Sequence, residues 1–173
     1  MKKTLLGIMS FAALSIAVVS CSEEEQTPLE PGTATVSGRV EANLDEANDT
    51  LSNGTPETKL EAIPEGTVIT FVVNGMDLDH DPDPGYNYKD KNFTATVGSD
   101  GTYSVDIDAR ETPFDVTVKF DDFAADVVRW SNDPGDTTAN GMPATITERE
   151  VFMKGDETVT IWDGATIVRD FDY

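Results

Sequence analysis

The chain has one cysteine and one histidine, and few cations: 12 lysines and arginines stand against 33 aspartates and glutamates, a formal net charge of −21. Each shortage closes a class of function. A lone Cys21 forms no internal disulfide. One His and one Cys fall short of the three or four ligands that zinc takes. A polyanion repels nucleic acid and gains nothing from acidic lipid headgroups. No Gly-x-Ser-x-Gly elbow and no phosphate-cradling glycine loop occurs. His80 is the sole histidine base on offer, and carboxylates on both sides, Asp79 and Asp81, are a poor setting for a neutral base. The chain therefore reads as a non-enzyme, with a carboxylate-dependent hydrolase as the enzymatic alternative because acids are abundant. Long apolar runs are scarce as well. The one present, residues 5–19 behind Lys2 and Lys3, has the length of a signal-peptide core and is too short to cross a bilayer comfortably.

The C-terminal border of that run is more specific. Val18-Val19-Ser20-Cys21 places an aliphatic residue three before Cys and a small one directly before it. This resembles the bacterial lipobox, which implies cleavage before Cys21, a diacylglyceryl thioether on its sulfur and an acylated amino group. Residues 1–20 are then a lipoprotein signal peptide. Its removal takes two lysines and no acid, leaving the chain two charges more negative. Ser22 after the cysteine resembles the outer-membrane sorting preference of Gram-negative lipoproteins. Ser22-Glu23-Glu24-Glu25 resembles the acidic signal that carries Bacteroidetes lipoproteins to the cell exterior; a solvated spacer has the same composition. Residues 21–32, acidic and broken by Pro28 and Pro31, read as a flexible tether. The expected location is the outer membrane, facing outward, held by lipid on Cys21.

Residues 33–173, about 140, suffice for one domain with one core. Their pattern is short β-branched runs between turn residues, without a helical period. Ala34, Val36, Gly38 and Val40 alternate with polar residues; 68–73 is a continuous apolar run, expected to be buried on both faces. Phe93, Ala95 and Val97, then Tyr103, Val105 and Ile107, flank Asp100-Gly101 and predict a hairpin. Phe114, Val116, Val118 and Phe120 share a face, and further strands are expected at 126–130, 145–153, 157–162 and 166–171. Seven or eight antiparallel strands at this spacing predict an all-β sandwich with Ig-like or transthyretin-like Greek-key connections. The stretch from Asn43 to Gly66 is long for a connection and reads as a functional or disordered insertion.

"VSGRV", "IPEGTVITF", "VGSDGTYSVDIDA" and "PFDVTVKF", spread over residues 33–123, resemble the carboxypeptidase regulatory-like and transthyretin-like β-sandwich domains frequent in Bacteroidetes lipoproteins. The resemblance implies seven strands in two sheets, usually without catalysis, and brings no active-site residues with it. Beyond Val127 the chain departs from the pattern.

The most unusual local feature is "GMDLDHDPDPGYNY", residues 75–88, a comb of Asp77, Asp79, Asp81 and Asp83. An EF-hand is excluded, since Pro82 or Pro84 falls on the position that needs a sharp glycine turn. A looser calcium loop of Asp79, Asp81 and Asp83, closed by Asn87 or Asp90, is one reading and a stiff solvated loop is the other. A second Asn/Asp/Gly/Pro loop comes after Trp130. If both loops lay at one end they would form a rim for a ligand. Asp49-Thr50-Leu51 and Asp136-Thr137-Thr138 resemble the O-glycosylation motif of extracytoplasmic Bacteroidetes proteins, making Thr50 and Thr137 the candidate acceptors. The function expected is a lipid-anchored binding or structural accessory module for a glycan or an outer-membrane protein partner. A calcium-dependent adhesion module is the alternative. Cells fed an alkyne fatty acid are expected to label the wild-type protein and not Cys21→Ser; label retained in the variant would remove the lipid assignment.

Overall fold

The computed structural model describes residues 30–49, 57–141 and 143–173. The signal peptide, most of the tether, Cys21, Ser22, Glu23, Glu24, Glu25 and Thr50 lie outside these residues. No helix among the described residues is long and apolar enough to cross a membrane.

The fold is all-β. Eleven strands occur among the described residues, eight of them five residues or longer. The first sheet is centred on β1 (Gly32–Ala42). Along one edge of β1 runs β5 (Thr102–Ala109), antiparallel from Gly32 opposite Ala109 to Arg39 opposite Thr102. The short β2 (Glu61–Ala62) continues that edge. The other edge is closed by β10 (Thr166–Val168) and β11 (Phe171–Asp172), both parallel to β1. These two pairings depart from the expected antiparallel pattern, and the expected 166–171 strand is broken at Arg169–Asp170. The break has a cause: β1 bonds this stretch through its odd residues, with Arg169 N–H donating to Ser37 O at 2.8 Å and Arg39 N–H donating to Asp170 Oδ1 at 2.8 Å. An aspartate side chain thus replaces one rung of the ladder.

The second sheet is antiparallel in the order β4 (Lys91–Thr96), β3 (Val68–Val73), β6 (Phe114–Phe120), β9 (Glu157–Ile161). Its inner face carries Ile69, Phe71, Val73, Ala95, Val116, Val118 and Ile161, all but shut off from solvent. Full burial of such a side chain contributes about 1.5–3 kcal/mol. The outer face carries Thr70, Thr94, Thr96, Thr117, Thr158 and Thr160, β-branched residues that hold strand geometry while meeting water. Strand β3 is therefore buried on one face and half-buried on the other, not buried on both: Val68, Thr70 and Val72 keep partial exposure because no layer covers that side.

The expected hairpin at Asp100-Gly101 is also corrected. The strands β4 and β5 carry the inward residues anticipated, yet they belong to different sheets. Gly101, at φ 79°, and the bond from Gly98 N to Thr102 O make a tight turn, but the flanking chains then part. Val97 bonds to Thr67, and Gly101 O accepts from Val40. The turn is an arch between layers.

A two-stranded ribbon, β7 (Phe123–Trp130) with β8 (Thr145–Phe152), is inserted between β6 and β9. It starts three residues earlier than expected, at Phe123, which packs on Phe152 and Tyr173. Val128 forms a parallel bridge with Asp45, so the ribbon extends beyond the upper end of β1. There Glu46, in the 3-10 turn Glu46–Asn48, meets Arg129 at 2.9 Å. Desolvation opposes the charge on Arg129, but the carboxylates of Glu150 and Glu46 prevail and raise its pKa. Glu61 accepts from Leu44 N–H, Asp45 N–H and Asn48 Nδ2 at 2.8, 3.1 and 2.8 Å. The described parts of the long insertion are thus folded onto the sandwich.

Gly38 faces the carbonyl of Arg169, and a Cβ there would collide with that oxygen. The same oxygen accepts from Tyr103 Oη at 2.7 Å. Gly38→Ala is expected to lower stability in urea denaturation by about 1–3 kcal/mol, and Tyr103→Phe by about 1 kcal/mol through the lost hydrogen bond. A neutral Gly38→Ala would disprove the tight seat of the last strands.

Candidate functional site

The comb lies at the end of the sandwich where β1 begins. The hydrogen-bond ladder sets this position: Gly32 pairs with Ala109, the next residue is Arg110, and its carbonyl accepts from Asp163 N–H at 2.6 Å. Phe114 pairs with Ile161, and Val73 with Lys91. All these residues are at one end, and the comb bridges Val73 to Lys91. The loop beyond Trp130, with Thr137 exposed in it, is at the other end. The rim imagined from two neighbouring acidic loops therefore does not form, since the ribbon carries the second loop away.

Within the comb, residues Gly75–Leu78 form a 3-10 turn capped by Asn74, whose side chain accepts from Met76 N–H at 3.0 Å. Gly75 is required because the carbonyl of Lys89 occupies the space a Cβ would fill, and this contact closes the loop at its neck. Asp79 Oδ1 accepts from Asp81 N–H at 3.0 Å, and Asp83 Oδ1 from Gly85 N–H at 2.8 Å. These are Asx turns, which Asp-x-x and Asp-Pro-Gly favour. The Asp133-Pro134-Gly135 stretch repeats the second one, Gly135 N–H donating to Asp133 Oδ1 at 2.8 Å.

Tyr88 links two teeth of the comb. Its hydroxyl donates to Asp79 Oδ2 at 2.7 Å and accepts from Asp83 N–H at 2.9 Å. That bond, then the Asp81 N–H, hold the Asp79 carboxyl below its ordinary 3.8, with Arg110 and His80 adding charge attraction. The same bond raises the Tyr88 hydroxyl above 10.0. Neither Asn87 nor Asp90 enters this network. Asp79 and Asp83 thus use their oxygens to shape the loop, Asp79 half-buried and Asp83 exposed, while His80 and Asp81 also stand exposed. Among the described residues no three of His, Cys, Asp and Glu gather as a metal-holding group.

Arg110 fastens the comb to the sandwich. Its Nη1 donates to the carbonyls of Asp77, at 3.1 Å, and Asp79. Its Nε is buried without an acceptor. Among the described residues the other arginines, Arg39, Arg129, Arg149 and Arg169, each form an ion pair, and Arg110 forms none. Beside it opens a cleft of about 170 Å³ lined by Met76, Asp77, Pro82, Thr112, Pro113 and Phe114. Arg110 and Tyr88 were missed from sequence. Arg110 directly follows the last alternating residue of β5, a position without signal, and Tyr88 reads as one aromatic among several polar loop residues.

No family model matches the chain, and no curated protein matches it in sequence. Two solved structures resemble it distantly. One is a candidate carbohydrate-binding protein from Pseudomonas aeruginosa, 13% identical, with 85% of this chain and 92% of that one covered and a TM-score of 0.36. The other is the major plantain pollen allergen Pla l 1, 14% identical, covering 82% and 97%, with a TM-score of 0.28.

Because the folded pKa of Asp79 is depressed, the loop's support from this carboxylate is present above about 3.8 and is lost as pH falls through the lower folded value. An NMR titration of the Asp79 side chain in Tyr88→Phe is expected to return the midpoint toward 3.8. An unchanged midpoint would show that the phenol does not hold it.

Proposed function

We propose that the protein is a lipid-anchored outer-membrane lipoprotein, facing the cell exterior, whose sandwich is a non-enzymatic module that binds a glycan or a protein partner. Cys21 carries the lipid, and Ser22, Glu23, Glu24 and Glu25 direct the sorting. The observation that carries the binding reading is the cleft at Arg110, where a guanidinium-bearing residue, an acidic residue and apolar walls meet. Such a mixture of apolar surface and a few placed polar groups is the make-up of a recognition site.

Asp79 in the comb is poorly suited to act as a general acid. A general acid at neutral pH needs a raised carboxyl pKa, and Asp79 is shifted the other way. The tether supports display. From Cys21 to Gly32 it reaches at most roughly 35–40 Å when extended, enough to hold both ends of the sandwich clear of the lipid surface. The ribbon points away from the anchored end and offers its exposed Trp130 and Val151 to whatever approaches from outside.

Protease shaving of intact cells is expected to degrade the wild-type protein while a periplasmic marker survives. Protection of the protein until the outer membrane is opened would refute outward display.

A further inference from the structure

We infer that the Arg110 cleft is a subsite for a single neutral sugar ring, with two adjacent hydroxyls bracketed by Arg110 and Asp77; this rests on the glycan form of the binding reading. The chemistry of the lining selects this ligand class. Arg110, which lines the cleft, is a pure donor, with its Nη1 fixed on two backbone carbonyls and its Nε shut off from solvent without an acceptor. Asp77 lines the same cleft and, when ionised, is a pure acceptor; among the described residues only its backbone N–H and carbonyl are engaged, not its carboxylate. Thr112, exposed at the mouth, both donates and accepts. A vicinal diol matches this set, because one hydroxyl accepts from the guanidinium while its neighbour donates to the carboxylate.

The alternatives fit less well. A carboxylate or phosphate would be drawn to Arg110 but would meet Asp77 at the same spot and Asp79 behind it. A metal cation would meet the guanidinium. Met76, Pro82, Pro113 and Phe114 give the apolar surface on which the C–H face of a pyranose packs. The size agrees too. At about 170 Å³ the cleft is below the roughly 300–1,000 Å³ of sites for drug-sized ligands, so it holds one ring and leaves the rest of a chain outside.

The buried Nε–H supplies a readout of changes at the guanidinium. In the wild-type protein, the Arg110 Nε–H resonance is followed while glucose, galactose, mannose and fucose are each titrated to tens of millimolar. At least one sugar is expected to shift it saturably, together with the amides of Asp77 and Thr112. Asp77→Asn keeps the backbone carbonyl that Arg110 holds, so the loop stays anchored, and is expected to weaken that sugar roughly tenfold, about 1.4 kcal/mol. Arg110→Lys is expected to abolish the response, and an unchanged Tyr88–Asp79 signature would show that the loop has kept its form. Saturable shifts confined to the ribbon would overturn the cleft assignment while leaving a glycan-binding module standing. No shift with any of the sugars, or equal affinity in Asp77→Asn, would overturn the inference, while shaving of intact cells tests display independently.

Discussion

One run of aromatic contacts holds the layers of this molecule in register. Phe71 of the second sheet lies 6.1 Å from Tyr103 of the first, Tyr103 is 5.8 Å from Phe171, and Phe171 meets Phe120 at 4.8 Å. The run continues through Tyr173 to Phe123 and Phe152, and so into the ribbon. Each pair adds about 0.5–1.5 kcal/mol beyond its buried area. Two phenols in it have fixed polar ends: Tyr103 donates to Arg169 O, and Tyr173 to Asp121 O at 2.8 Å. Burial drives the Tyr103 hydroxyl well above its ordinary range and the Tyr173 hydroxyl to about 12, so both remain donors at any physiological pH. Sheet, sheet and ribbon are thereby pinned at the end remote from the comb.

That division of labour leaves the opposite end to polar contacts. There the comb is held by Arg110 on backbone carbonyls, by Asx turns and by Tyr88, with Met76 and Tyr86 left exposed. Shape at this end comes from hydrogen bonds, which contribute a net ~0.5–1.5 kcal/mol each. A loop held this way keeps its form while Asp79 is ionised.

Much of the strand content was legible, because alternation is a local signal. Ala34, Val36 and Val40 in β1, Val116 and Val118 in β6, and Tyr103, Val105 and Ile107 in β5 all point inward as their spacing predicts. What escaped was pairing. Asp100-Gly101 serves a hairpin and an arch equally well; the difference lies in Val97 finding Thr67 and Val40 finding Gly101, contacts that no local window contains. The parallel β10 and β11 were hidden for the same reason. At the site, the comb was visible as composition, but the groups that organise it were not. Arg110 acts through carbonyls more than thirty residues away, and carbonyls carry no sequence identity.

The closure of β1 by residues 165–173 shapes how the molecule is made. β1 comes early in the fold, yet one of its edges finds partners about 130 residues later, as in the bond from Arg39 N–H to Asp170. Loop-closure entropy must be overcome before such contacts are gained, and folds dominated by them form in roughly milliseconds to seconds, not microseconds. Throughout that interval the odd-numbered amides of β1 present a naked strand edge, the kind of template on which other chains add. The dense negative charge of the chain opposes such addition, because copies of net charge −21 repel one another.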